Sequence, residues 1–380
     1  MLISGGTIID GTGSVPFAGD LRIDGEGITE VGPKLAADND QIIDATGLLV
    51  TPGLIDLHVH CYAGLGLFSV DPAQIGLKTG VTSMIDTGSA GGLNYGPFHR
   101  FVMPAAREDV YALINIAQHG VQGHPDIDPY LGDLHEAKHI HAGNAVACIN
   151  AHRDRIVGVK ARLTESLTDG HPENERIAMH AAIEAGAATG LPCMFHHVMS
   201  SIPLSELLDV MRPGDILTHF YHGRGDGGFD SSSGAPSDML MRARQRGIIL
   251  DVGHGVGSFD WRVAEPACRE FGFYPETIST DLHQFCIQGP AYDMPTTMSK
   301  LLHLGMPLEK VIEASTSAPA RAVNLHNRVG RLIPGMQADV ALLRLVEEEV
   351  GLVDVDGAVR TAARRLVAAT AIKRGEQHQA

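Results

Sequence analysis

Short apolar runs alternate with amphipathic stretches along most of this chain. The runs are Leu54–Val59, Thr82–Asp86, Ala112–Ile116, Val157–Lys160, Pro192–Phe195, Asp215–Thr218, Ile248–Val252 and Thr277–Thr280. Between them, apolar residues recur at helical spacing in Glu173–Ala188, Leu204–Met211, Pro236–Arg246, Trp261–Phe271 and Met294–Leu304. Eight strands alternating with helices predict an α/β fold, a (β/α)₈ barrel over residues 51–330. A doubly wound parallel sheet shares this alternation, and periodicity does not separate the two. The first 50 residues read differently. Leu2–Thr7, Asp20–Asp24, Ile28–Val31 and Gln41–Asp44 are short strands punctuated by glycines. Strand patterning returns in Ala338–Leu343. Residues 1–50 and 331–380 therefore predict one small β domain built from both ends of the chain. Gly223–Gly234, rich in Gly, Asp and Ser, reads as a long loop.

Composition removes several function classes. Lys and Arg total 29 against 45 Asp and Glu, a formal net charge of −16. Such a surface repels phosphate backbones and anionic bilayers, so neither nucleic acid nor membrane is an expected partner. No signal peptide or membrane-spanning run is evident. The five cysteines are scattered and odd in number, which fits reduced thiols and a cytoplasmic location. The expected partners are a small-molecule substrate and further copies of this chain. Histidine stands out, with 20 copies against one tryptophan. It is the commonest metal ligand.

The histidines gather where a barrel does its chemistry. His58 and His60 close the first barrel strand, and strand alternation puts both on one face. Lys160 comes late in the fourth strand, His196 and His197 end the fifth, His219 the sixth and Asp281 the eighth. Barrel active sites lie at the C-terminal ends of strands.

These residues resemble the amidohydrolase superfamily. The resemblance is carried by Val50-Thr51-Pro52-Gly53-Leu54-Ile55-Asp56-Leu57-His58-Val59-His60 and by Gly330-Arg331-Leu332-Ile333-Pro334-Gly335-Met336-Gln337-Ala338-Asp339-Val340. It covers almost the whole chain. It implies a distorted (β/α)₈ TIM-like barrel with a small β-sandwich domain, and a pair of divalent ions, usually zinc. By that resemblance His58, His60 and Asp281 hold one ion and His196 and His219 the other. His196 fits the family spacing better than His197. Lys160 bridges the ions as a carbamate formed with carbon dioxide. A hydroxide bridging two metals is a nucleophile near neutral pH, and Asp281 beside it is the expected general base.

The class this implies is a metal-dependent hydrolase of a small acyl ester or amide. Dihydroorotases carry an arginine two residues beyond the second histidine of the first strand, and here that place is Tyr62. The pattern is closest to a dihydroorotase-like group of deacylases, some acting on acetyl esters of α-hydroxy acids such as mandelate. An N-acyl-amino-acid deacylase and a cyclic amidase are the alternatives within this class. A non-catalytic scaffold is the alternative outside it, and the full ligand set argues against that. Arg162, two residues past Lys160 on the same strand face, is the expected carboxylate partner. His254, His283, Tyr62 and His119 are further candidates for substrate contact. Trp261 and Cys61 read as packing.

Overall fold

The computed structural model describes residues 1–37, 39–64, 68–121 and 132–379. Seven parallel strands form the barrel wall in sequential order: β6 (Leu54–Val59), β7 (Val81–Gly91), β8 (Asp109–Asn115), β9 (Ile156–Leu163), β10 (Cys193–His197), β11 (Ile216–Thr218) and β12 (Ile249–Asp251). These strands are buried almost throughout, as a parallel sheet covered on both faces requires.

The expected eighth strand is not a regular one. Residues 277–282 close the ring through isolated parallel bridges, Asp251 to Thr277 on one side and Val59 to Leu282 on the other. Two side-chain effects explain the irregularity. Thr280 N donates to Asp56 Oδ1 at 3.0 Å, so its N–H goes to a side chain and not to a ladder. Asp281 adopts φ 50°, outside the strand region. The fold is the distorted (β/α)₈ barrel class.

The chain ends form a second sheet of eight strands. It contains β1 (Leu2–Ile8), β2 (Phe17–Asp24), β3 (Gly27–Gly32), β4 (Ile42–Asp44) and β5 (Leu49–Pro52) from the N-terminal side. β13 (Val340–Val346), β16 (Arg365–Lys373) and β17 (Glu376–Gln379) come from the C-terminal side. β5 pairs with both β1 and β13, joining the two ends by hydrogen bonds. Ile3, Ile8, Leu21, Val50, Val340 and Ile372 belong to its core. A separate hairpin, β14 (Val350–Val353) with β15 (Val359–Ala362), packs on the barrel. There Trp261 Nε1 donates to Ala358 O at 3.1 Å. All five cysteines are free. Among the described residues no helix is long and apolar enough to cross a membrane.

Candidate metal centre

The C-terminal ends of the strands open into a cavity of about 630 Å³. His58, His60, Lys160, Arg162, His196, His219, Asp281 and His283 are all in its wall. The strand ladder puts them there. Lys160 pairs in register with Met194, and Arg162 with His196, so the residues of β9 and β10 alternate in step. His196 lies in the wall with its ring centroid 4.5 Å from that of His219. His197 points the other way and is hydrogen-bonded through Nε2 to Ile202 O at 2.8 Å. A wider groove of about 790 Å³, between residues 71–78 and the end of the C-terminal strand, lies apart from these side chains.

Asp281 sits at the centre. Its Oδ1 is 3.3 Å from His58 Nε2 and 3.3 Å from His60 Nε2. Lys160 Nζ lies 3.3 Å from the same His58 Nε2. Ligand atoms of His58, His219 and Asp281 fall within 4.8 Å of one another. The outward nitrogens are held in turn. His219 Nδ1 meets Gly253 O at 2.6 Å, so Nδ1 carries the proton and Nε2 keeps its lone pair. His58 Nδ1 faces Thr218 Oγ1 at 3.1 Å, and that hydroxyl donates onward to Asp251 Oδ2 at 2.8 Å. The hydroxyl therefore accepts from His58, which again frees Nε2. His60 Nδ1 pairs with Ser89 Oγ at 2.9 Å.

Burial sets the charge states. Desolvation, aided by nearby Lys160, holds the His58 and His196 imidazoles well below their ordinary value. It takes His219 to about 3 and His283 to about 4. It also pulls the Lys160 amine down to about 7. Burial alone would raise Asp281, but the surrounding imidazoles hold it well below the usual carboxylate range. Neutral imidazoles, an ionised carboxylate and an amine near neutrality are the donor set that a divalent cation requires. The residues present fit a metal centre.

Two of the ligand candidates also sit on strained backbone. His219 and Asp281 have φ 70° and 50°, a conformation that non-glycine residues adopt at a cost. Gly255, φ +51°, lets the backbone approach Asp281: a Cβ there would lie 2.3 Å from Oδ2. The Gly-His-Gly run after the seventh strand supplies the residue type that this approach requires.

The expected substrate contacts divide. His283 lies in the wall, its ring 4.9 Å from Phe68. Arg162 reaches the wall with its fork closed on Asp133, Nε to Oδ2 at 2.8 Å and Nη2 to Oδ1 at 3.0 Å. Tyr62 lies outside the lining, stacked on Phe98 at 4.6 Å and donating to Asn94 O. His254 is buried behind the wall, with Nε2 2.5 Å from Lys300 Nζ. His119 packs edge-on against His139 at 5.1 Å. Asp133, Phe68, Phe285 and Arg224 were not legible as site residues, because no local motif marks a partner that arrives from a loop.

Known proteins share this fold. A model described as the amidohydrolase family matches residues 250–376. The chain is 33% identical over 355 residues to a deacetylase of Agrobacterium fabrum, covering 92% of this chain and 84% of that protein. A deacetylase of Enterococcus faecalis is 33% identical over 322 residues, with 84% of each covered. Two solved structures, of an adenine deaminase and a dihydroorotase, superpose with TM-scores of 0.91 and 0.85. Each is 30% identical and covers 100% of this chain and 99% of its own. The fold defines a hydrolase built on a (β/α)₈ barrel, with a candidate His/Asp metal site at its mouth. The chain belongs to the amidohydrolase family.

Proposed function

We propose that this chain is a zinc-dependent deacylase that cleaves a small acyl ester or amide bearing a carboxylate. An acetyl ester of an α-hydroxy acid such as mandelate is the type of substrate meant. The observation that carries the reading is the buried Lys160 amine beside His58, in one wall with His60, His196, His219 and Asp281. Three deacetylases, 32–33% identical, are among the relatives matched along most of the chain. The solved neighbours include a deaminase and a dihydroorotase, so the fold by itself does not choose the substrate. Tyr62, packed on Phe98, offers no cation where dihydroorotases carry an arginine, which disfavours the cyclic amidase.

His58, His60 and Asp281 would hold one ion, His196 and His219 the other, and Lys160 as its carbamate would bridge them. Divalent ions bound there supply Lewis-acid activation of water and of an acyl carbonyl. The remaining work belongs to the chain. The Asp281 carboxylate takes the proton from the attacking water and returns it to the leaving oxygen or nitrogen. His283, held neutral, offers a hydrogen bond to the bound acyl group. Phe68, Val198, Val256 and Phe285 make the wall apolar and limit water around the reacting atoms.

Metal analysis with a substrate screen tests this. Protein prepared with zinc and bicarbonate should hold close to two equivalents per chain. It should hydrolyse acetylated hydroxy acids or N-acyl amino acids in preference to dihydroorotate and adenine. Active protein with one equivalent or fewer, or turnover confined to dihydroorotate or adenine, would overturn the reading.

A further inference from the structure

Arg162 and Arg224 are the arginines in the lining of the site cavity. Their surroundings differ sharply. Arg162 is closed on Asp133 in a two-pronged pair whose side chains are 8% and 1% exposed. Turning that fork toward a bound molecule would strand a buried carboxylate, which is the expensive way to break such a pair. Arg162 therefore contributes shape and no uncompensated charge.

Arg224 is 49% exposed, and its guanidinium meets Asp356 at 3.9 Å. That distance is beyond hydrogen-bond reach. Asp356 is itself taken by Arg262. Among the described residues the Arg224 guanidinium has no hydrogen-bond partner. Its backbone is nevertheless fixed. Arg224 N donates to His222 Nδ1 at 3.2 Å. Gly225, at φ +69°, lies against Met199, and Cζ of Arg224 is 4.0 Å from where a Cβ on Gly257 would be. The guanidinium thus stands on the rim above β10 to β12, in the same wall as Met199, Val256 and Ser258.

Charge makes this position matter. A chain of net charge −16 repels anions at long range. Within the wall, Asp281 and a carbamate on Lys160 would offset only part of the charge of two divalent ions, and that charge would sit at the reacting acyl group, below the rim. We infer that Arg224, and not Arg162, is the residue that selects substrates carrying a carboxylate. This rests on the deacylase reading above. A planar fork of donors whose ion pair with Asp356 is long and half exposed matches a bound carboxylate through two parallel hydrogen bonds. Because the guanidinium is half exposed, added salt should weaken the contact.

The test uses zinc-loaded protein and a matched pair of acetyl esters, one ending in a carboxylate and the other in the corresponding carboxamide. For Arg224→Met, KM for the carboxylate ester should rise roughly tenfold, one charge-assisted contact at a half-exposed site. The kcat should hold within about twofold. The preference for carboxylate over carboxamide should collapse, and Arg224→Lys should recover part of it. In the parent enzyme, KM for the carboxylate ester should climb with ionic strength, and in Arg224→Met it should not. An undiminished preference in Arg224→Met, with the parent discriminating normally, overturns this inference alone. Equal losses on both esters also overturn it, by showing that Arg224 supports the loop. A parent enzyme that takes both esters equally well overturns the carboxylate part of the deacylase reading, and this inference with it.

Discussion

Lys160 has no solvent exposure and lies 3.3 Å from His58 Nε2 and 3.4 Å from Met194 Sδ. Desolvation draws its amine from 10.5 to about 7. Only the unprotonated amine adds carbon dioxide, so the carbamate should form more readily as pH rises through that value. At a fixed concentration of dissolved carbon dioxide, the unprotonated fraction grows roughly tenfold between pH 6 and pH 8. Metal uptake by metal-free protein should grow in step. Lys160→Ala should take up little metal at either pH, and short-chain carboxylic acids should restore part of both metal content and activity. Uptake that ignores pH and carbon dioxide would remove the carbamate from the centre. The position of Lys160 was legible, because strand alternation puts it on a known face. Its depressed pKa was not, because that depends on what the surrounding strands and loops leave around it, a matter of packing and not of spacing.

At the scale of elements, legibility followed regularity. The run Leu54–Val59 is β6 to the residue, and the helix expected over Glu173–Ala188 ends one residue later. Thr277–Thr280, read as the eighth strand, lies in its expected place but joins its neighbours only through isolated bridges, because the Thr280 N–H goes to Asp56. Other contacts lie beyond any local pattern. Lys300, in the helix Met294–His303, is fully buried. Its Nζ reaches His254 Nε2 at 2.5 Å, Pro290 O at 2.9 Å and Val353 O at 2.6 Å. One side chain thus ties the loop after β12, the turn at Pro290 and the hairpin β14–β15. His254 N in turn donates to Ser279 O, and Gly255 N to Thr280 O, next to Asp281. Lys300→Met fills nearly the same volume but leaves three buried acceptors unpaired. The expected loss is about 3 kcal/mol or more, taking ~1–3 kcal/mol for each unsatisfied group without full additivity. Denaturant melts measure it directly. A midpoint equal to that of the parent would show that the three segments hold together without the ammonium.

Across the whole molecule, the two sheets meet through a charge cluster at the end of the barrel opposite the metal centre. Asp109 opens β8, whereas the ligands sit where strands finish. Lys373, the last residue of β16, donates to Asp109 Oδ2 and to Asp339 Oδ2, each at 2.7 Å. Gln337 and Arg374 also donate to Asp109. The cluster therefore fastens the β domain made from the chain ends to the barrel. Burial would raise the Asp109 carboxyl, but the charge and hydrogen bond of Lys373, with Gln337 and Arg374, bring it down to about 2. A folded-state value below the unfolded one, 3.8, means that Asp109 contributes stability above about pH 4. That contribution disappears as pH falls from about 4 toward 2. A shift of nearly two units corresponds to about 2 kcal/mol. Asp109→Asn should lower stability at pH 7 by at least that much, since Lys373 stays buried with one carboxylate in place of two. Its loss of stability between pH 4 and pH 2 should be correspondingly shallower. Because the metal ligands lie at the far end of the strands, metal content at pH 7 should match the parent. Denaturation midpoints at pH 7, 4, 3 and 2 supply the comparison. Parallel acid limbs in the two proteins would mean that another carboxylate governs acid unfolding and that the two sheets are joined by their apolar contacts.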